Sequence, residues 1–342
     1  MSMISYPAEK APIHVFGLPL LYETGQWRKL PEFIIRQIPR LDNFRRITSN
    51  ARVCFRTDAP EFTLRCRMST CNANPDHSAL SLSGLNVYVG ETRTTSRYLG
   101  FLSVPTPREE VLLVEKTFSK GSGMEEVMIL LPTRCYIESM EILVDESAKV
   151  EPPTPYRIEK PIVFYGSSIT AGGAASRAGN SYISLLSRWL DADVLNFGFA
   201  GNARGELPMA EYLKNIEMSV FVYDYDHNAQ SPEELRQTHK PFFDVIRKHN
   251  PELPIIMLTR PCGDLDPEDT AARREVVYDT YRQAVEAGDR KVWFINGRTL
   301  LGEEDRHACT VDLIHPNDLG FMRMAKRILP VLREALGEQP TE

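Results

Sequence analysis

Near the end of the 342-residue chain, Asp312-Leu313-Ile314-His315-Pro316-Asn317 places a carboxylate three residues before an imidazole. Across a turn, that spacing lets the carboxylate accept the Nδ1 hydrogen and leaves Nε2 to take a proton from a nucleophile. A hydroxyl suited to the partnership lies in Gly166-Ser167-Ser168-Ile169-Thr170, followed by Ala171-Gly172-Gly173. Small residues there let the chain turn tightly and present a side chain. Each segment also has an ordinary explanation. Serine after a strand is commonly a helix cap, and Asp312 or Asn317 could cap the last helix with His315 merely exposed.

Acyl transfer through such a serine also needs hydrogen-bond donors for the oxyanion. Two further loops offer them: Asn196-Phe197-Gly198-Phe199-Ala200-Gly201-Asn202 and Asp224-Tyr225-Asp226-His227-Asn228-Ala229. A glycine presents an unobstructed backbone N–H, and asparagine presents an uncharged NH₂. Aimed at the developing negative charge, each donor is worth roughly 3 kcal/mol of barrier. A turn glycine and an Asx turn are the bland alternatives.

His227, Tyr225, Arg204 and Arg260 stand near these segments and are candidates for contact with a substrate, although a structural histidine or an exposed ion pair would explain them equally. Asp224 and Asp226, two apart, could form a paired-carboxylate site, but only one is expected to reach the loop. Trp27, Tyr88 and Tyr98 could stack on sugar rings, with core packing the commoner role for any single one. His315 and Asp312 find no third partner for a metal site, and there is no H-E-x-x-H. Neither a metal nor a cofactor is expected.

The elements that must position these residues have two rhythms. Up to about residue 148, apolar and polar residues alternate. Phe62, Leu64, Cys66 and Met68 are interleaved with Thr63, Arg65 and Arg67, Leu85, Val87 and Val89 repeat the pattern, and so do Met140, Ile142 and Val144. Alternation of this kind puts one apolar face on each strand. Turn-formers such as Asn72-Ala73-Asn74-Pro75-Asp76 and Lys120-Gly121-Ser122-Gly123 separate the runs. Residues 1–150 therefore read as an antiparallel sandwich. Glu151-Pro152-Pro153-Thr154-Pro155 is a linker candidate, because proline lacks a donor and fixes its own backbone angle. Over 156–338, short apolar strands (161–165, 194–199, 220–225, 255–259 and 292–295) alternate with helical stretches at about 181–190, 232–249, 268–287 and 318–336. That order predicts a parallel sheet covered on both faces, with ligands bound beyond the carboxyl ends of its strands.

Composition is ordinary for a soluble globular protein, with 42% hydrophobic and 25% charged residues. The net charge of −6 argues against a nucleic-acid or anionic-membrane partner, since either needs a concentrated basic face. Basic residues recurring from Arg36 to Arg67 are spread among apolar residues and are expected on solvated strand faces. Cys54, Cys66, Cys71, Cys135, Cys262 and Cys309 show no metal-like spacing and are expected as free thiols. No apolar run reaches the ~18 residues of a membrane span. Met1 to Leu20 lacks a signal-peptide pattern. A cytoplasmic location is expected, or a secreted or periplasmic one if a signal has been removed.

The four segments, in this order on successive strand ends, resemble the blocks of the SGNH hydrolase superfamily, also called GDSL esterases, over about 161–336. Ser168 matches the block-one serine, Gly201 the block-two glycine, Asn228 the block-three asparagine and His315 the block-five histidine, with Asp312 ahead of it. The resemblance implies a three-layer α/β/α, flavodoxin-like fold. It implies an oxyanion hole from the Ser168 and Gly201 N–H groups and the Asn228 side chain. Two places depart from the usual pattern: Ser167 stands where G-D-S has aspartate, and Asp226 and Ala229 replace the outer residues of G-x-N-D. Arg56-Thr57-Asp58, Gly84-Leu85-Asn86-Val87-Tyr88 and Ile129-Leu130-Leu131-Pro132 resemble the jelly-roll-like β-sandwich that precedes SGNH domains in bacterial carbohydrate esterases.

What the resemblance implies about activity is hydrolysis of a small acyl ester, acetyl above all, on a carbohydrate, with a small-molecule or oligosaccharide substrate. A thioesterase or short-chain lipase would use the same residues, and a carbohydrate-binding protein without activity is the alternative from another class. The sugar, the acyl position and the oligomeric state stay open.

Overall fold

The structure, a computed structural model, describes residues 2–70, 77–104, 110–262 and 264–338. The turn at 72–76 and Cys71 lie outside the described residues; the other five cysteines are free and buried. Among the described residues no helix is long and apolar enough to cross a membrane.

Among the described residues, ten antiparallel strands build the first half: β1 (Met3–Pro7), β2 (His14–Phe16), β3 (Arg52–Thr57), β4 (Glu61–Thr70), β5 (Leu85–Gly90), β6 (Arg97–Leu102), β7 (Leu112–Ser119), β8 (Glu125–Leu130), β9 (Cys135–Asp145) and β10 (Val150–Glu151). They form two sheets, in the orders β1-β9-β4-β7 and β10-β3-β8-β5-β6, with β2 added to β3. The alternating apolar residues meet between the sheets: Phe62, Leu64, Cys66 and Met68 from β4 pack with Val87, Val89, Met140, Ile142 and Val144. On the outer face of the first sheet, Arg65 is flanked by Glu115 and Glu141, the cross-strand charge pairing expected of a solvated face.

The second sheet has no solvated centre. Its outer face lies against the second half of the chain, so β5 is buried along its whole length. Asn86 Oδ1 accepts the Gly179 N–H at 3.0 Å, and Arg188 lies over the Tyr88 ring. Arg52 corrects the expectation that the basic residues of 36–67 face water. It is fully buried, pairs with Asp193, and donates to the Val194 carbonyl at 3.1 Å and to Tyr156 Oη at 3.0 Å. Trp27 and Tyr88 are likewise buried, and Tyr98 lies under Arg177; packing, not sugar stacking, occupies all three. The proline-rich connector is tied down, since Arg93 donates to the carbonyls of Thr154 and Pro155.

The second half contains a five-stranded parallel sheet: β11 (Ile158–Gly166), β12 (Ala192–Gly198), β13 (Val220–Asp224), β14 (Ile255–Leu258) and β15 (Val292–Ile295), in the order β12-β11-β13-β14-β15. Successive residues face opposite cores, as strands buried on both sides require. Ile162, Phe164, Val220 and Val222 pack under the helices Tyr182–Leu190 and Asp318–Ala335. Val163, Tyr165, Phe221 and Tyr223 pack under Leu207–Leu213, Pro232–His249 and Pro267–Glu286. Local signals set the helices. Ser231 caps Pro232–His249 by accepting the Glu234 N–H at 3.1 Å, proline occupies the first turn, and Arg247, Lys248 and His249 close the last. Strand order reverses at β11, which makes its carboxyl end the natural crevice.

The cores do not divide the chain at the connector. Leu30, Ile34, Ile35, Ile38 and Leu41, on and beside the helix Glu32–Gln37 and the 3₁₀ turn Pro39–Phe44, belong to the core of the parallel sheet. Each buried aliphatic side chain contributes about 1.5–3 kcal/mol. Together they match the ~5–15 kcal/mol net stability of a typical domain. A fragment spanning 156–338 is therefore expected to lack a cooperative thermal transition by circular dichroism and to bind a hydrophobic dye. A sharp transition close to that of the full chain would refute this dependence.

Candidate active site

β11 ends at Gly166, where only glycine fits, because a Cβ would overlap the Asp224 carbonyl oxygen and Thr170 Oγ1. Ser167 then caps the short helix Ser168–Ala171, its Oγ accepting the Ile169 N–H at 3.2 Å. Capping therefore falls to Ser167, and the next hydroxyl is left over. Beneath the turn, the Ser167 N–H donates to the Asp224 carbonyl at 3.1 Å, and Thr170 Oγ1 donates to the Asp224 carboxyl at 3.1 Å.

The histidine segment is a small clamp. The Val311 N–H donates to the His315 carbonyl at 3.0 Å, and the Asn317 N–H donates to the Cys309 carbonyl at 2.9 Å. Leu313 turns the chain with a φ of 67°, a left-handed conformation costly for a branched side chain. Asn317, not Asp312, caps the last helix by accepting the Gly320 N–H at 3.1 Å. Asp312 is thereby free for other bonds. Its Oδ1 accepts the backbone N–H of Ile314 at 3.0 Å and of His315 at 2.7 Å, and its Oδ2 lies 2.7 Å from His315 Nδ1. Partial burial alone would raise its pKa, but these bonds outweigh burial and hold the carboxyl below the usual aspartate range. With the proton on Nδ1, Nε2 is left as the acceptor, and Ser168 Oγ stands 2.8 Å from it. Hydroxyl, imidazole and carboxylate thus meet at the carboxyl end of β11, in geometry suited to moving a proton from serine to histidine.

Gly201 occupies a left-handed turn at φ 71°, with nothing within 4 Å of where a Cβ would stand. Among the described residues, the Ser168 and Gly201 N–H groups donate to no protein acceptor. Asn228 Oδ1 accepts the Ala203 N–H at 3.3 Å, which ties the asparagine to the glycine loop and leaves its NH₂ as the unused end.

The remaining candidates separate. Tyr225 is a correction: it is buried in the core, and its hydroxyl pairs with Thr238 Oγ1 at 2.7 Å. Its parity with Phe221 and Tyr223 was the available signal. Arg260 is committed to Asp269 at 2.9 Å and to Thr270. Arg204 lies beside the Arg40–Glu206 pair, its N–H donating to Glu206 at 3.3 Å. His227 is only partly exposed, with Nε2 shut from solvent. Burial first, then the neighbouring Arg260 and the other basic side chains around it, keep its pKa well below the usual histidine range, so the ring is neutral. Asp224 and Asp226 are both buried. Burial first, then the neighbouring Asp226, pushes Asp224 well above the ordinary range, and burial raises Asp226 to about 6. Asp224 serves the Thr170 and Tyr182 hydroxyls as an internal prop, not as half of an exposed acid–base pair. Among the described residues no group of three His, Cys, Asp or Glu side chains is placed to hold a metal.

Several supporting residues carried no local sequence signal. From the sandwich, Ser81 Oγ donates to the Gly173 carbonyl at 3.3 Å, and a Cβ on Gly173 would run into the His77 imidazole. Asn196 Nδ2 donates to the Thr170 carbonyl at 2.7 Å and also to Asn50 Oδ1. Asp318 receives the Ser176 N–H at 2.7 Å and so joins the helix that follows the histidine loop to the segment after the nucleophile turn.

This arrangement, a serine turn at the reversal point of a parallel sheet with an Asp-x-x-His loop closing on it, defines the SGNH class of hydrolase fold. Residues 159–333 match the model of the GDSL-like lipase/acylhydrolase family, and residues 9–150 match one described as the N-terminus of SGNH hydrolase-type esterases. The chain belongs to the GDSL-like lipase/acylhydrolase family. No curated protein matches it. Among solved structures, a protein from Bacteroides ovatus ATCC 8483 described as a GDSL-like lipase is 25% identical over 100% of both chains, with a TM-score of 0.86. Two more distant structures share the fold. The salicylyl-acyltransferase SsfX3 of a tetracycline biosynthetic pathway is 19% identical over 99% of each chain, with a TM-score of 0.79. The acetyl xylan esterase Est2A from Butyrivibrio proteoclasticus is 15% identical over 98% of this chain and 99% of its own, with a TM-score of 0.58.

Proposed function

We propose that this esterase removes a short acyl group, acetyl above all, from a carbohydrate through a covalent serine intermediate. The observation that carries the mechanism is the continuous contact from Ser168 Oγ to His315 Nε2 at 2.8 Å and from His315 Nδ1 to Asp312 at 2.7 Å. Ser168 Oγ attacks the ester carbonyl as His315 takes its proton. Asp312 stabilises the imidazolium, and the Ser168 and Gly201 N–H groups with the Asn228 amide receive the oxyanion. His315 protonates the departing alcohol, then activates water to release the acid. The carbohydrate rests on likeness to the acetyl xylan esterase and on the preceding sandwich.

A specific observation favours a second reading. Val311, Leu313 and Leu319, around the histidine loop, are 48%, 43% and 42% exposed. This apolar lip would suit a longer acyl chain, as in a short-chain lipase or thioesterase. A fluorophosphonate is expected to label Ser168 in the wild-type chain, located by mass spectrometry, and kcat/KM on nitrophenyl esters is expected to fall steeply beyond acetyl. A rise with chain length would transfer the assignment to the lipase reading. An unlabelled protein would sink both and leave a carbohydrate-binding role.

A further inference from the structure

The loop carrying Asn228 is one of the two places where the chain departs from the family pattern, with Asp226 and Ala229 in place of the usual glycine and aspartate. Both positions meet the same partner. Arg273, 6% exposed on the helix Pro267–Glu286, directs Nη1 to the Asp226 carbonyl and to the Ala229 carbonyl, at 2.7 Å each. The two bonds bracket His227 and Asn228. One helical turn earlier, Asp269 Oδ2 accepts Arg273 Nε at 2.6 Å, and the same oxygen accepts Arg260 Nη2 at 2.9 Å. Arg260 closes the circuit, since its backbone N–H donates to the Asp226 carboxyl at 3.1 Å. The loop is thus held at two carbonyls and one side chain, and the far side of Asn228 is fixed by the Ala203 N–H.

A guanidinium this deeply buried persists only where its donors are used and its charge is matched. Asp269 supplies the match: burial works against its charge, but Arg273 and Arg260 outweigh burial and hold its carboxyl below the ordinary range. Such an expensive arrangement at the two ends of a four-residue loop serves alignment. An oxyanion donor lowers the barrier only if it is already in place when charge develops.

Resting on the esterase reading above, we infer that Arg273, held by Asp269, is the positioning residue that aims the Asn228 amide at the oxyanion. The test is a double-mutant cycle on nitrophenyl acetate turnover. Asn228→Ala is expected to lower kcat about 10²–10³-fold. Arg273→Met is expected to lower it about 30-fold with KM within about threefold, and Arg273→Lys to recover part of that loss. In the Asn228→Ala background, Arg273→Met should cost less than about threefold more, because the amide it aims is gone. A purely structural arginine would cost the same factor in both backgrounds, and that result overturns the inference, as does wild-type kcat in Arg273→Met. If Arg273→Met does not fold, Asp269→Asn on the exposed start of the helix carries the same cycle with the same two outcomes. A wild-type chain that neither hydrolyses the ester nor takes the label on Ser168 sinks the esterase reading and this inference together. Equal losses in an active, labelled enzyme sink this inference alone.

Discussion

Ser168→Ala is expected to lower kcat on nitrophenyl acetate by about 10⁶, leaving only what binding and oxyanion donors achieve by themselves. The reason is that serine, histidine and aspartate act as one unit: without the hydroxyl there is nothing for His315 to deprotonate. His315→Ala should therefore cost nearly as much, and the double variant little more than either single one. The fold should not register the change, because the helix cap belongs to Ser167, whose Oγ accepts the Ile169 N–H. A shift within about 0.5 kcal/mol in denaturant unfolding is expected. Steady-state kinetics on both single variants and the double variant check the point. More than a few per cent of wild-type activity in Ser168→Ala would remove the nucleophile assignment.

Asp312→Asn should cost about 10⁴ in kcat while leaving the loop in shape. Oδ1 of Asp312 is held by the N–H groups of Ile314 and His315 at 3.0 and 2.7 Å. Only an oxygen can keep those bonds, so the asparagine must turn its NH₂ toward His315 Nδ1. Two donors then face each other unless the imidazole moves its proton to Nε2. In that tautomer Nε2 can no longer accept the Ser168 proton, and the base is lost although every heavy atom stays in place. Asp312→Ala is the informative control: it leaves the tautomer free and should retain more activity than Asp312→Asn. Equal activity of Asp312→Asn and the wild type would show that the carboxylate does not set the tautomer. Nitrogen-15 chemical shifts of the His315 ring would report the tautomer directly.

Much of this site is legible along the chain, and what is not has a common cause. Asp312 and His315 are three residues apart, and a turn suffices to join them, so their pairing is written locally. The same sequence left open whether Ser167 or Ser168 caps the helix and whether Asp312 or Asn317 caps the last one. The first was decided with the contact of the Ser167 N–H to the Asp224 carbonyl, far away in the chain, and the second with the bond of the Asn317 N–H to the Cys309 carbonyl just ahead of the same loop. Tyr225 continues the face shared by Phe221 and Tyr223, so its burial could have been read from period two alone. Arg273 could not, because its partners are backbone carbonyls, which look alike at every position.

By itself, the amino-acid sequence determined the alternating strands of the first half, the five strands and four longest helices of the second, and the local pairing of Asp312 with His315. Repeating polarity encodes those features within a few residues of each position. Only the tertiary structure decided that Arg52 is buried, that Leu30 to Leu41 complete the core of the second half, and that Arg273 holds the Asn228 loop. Each of these depends on which surface a residue meets after the chain has closed on itself. That meeting is a property of two distant segments together, and neither segment carries it alone.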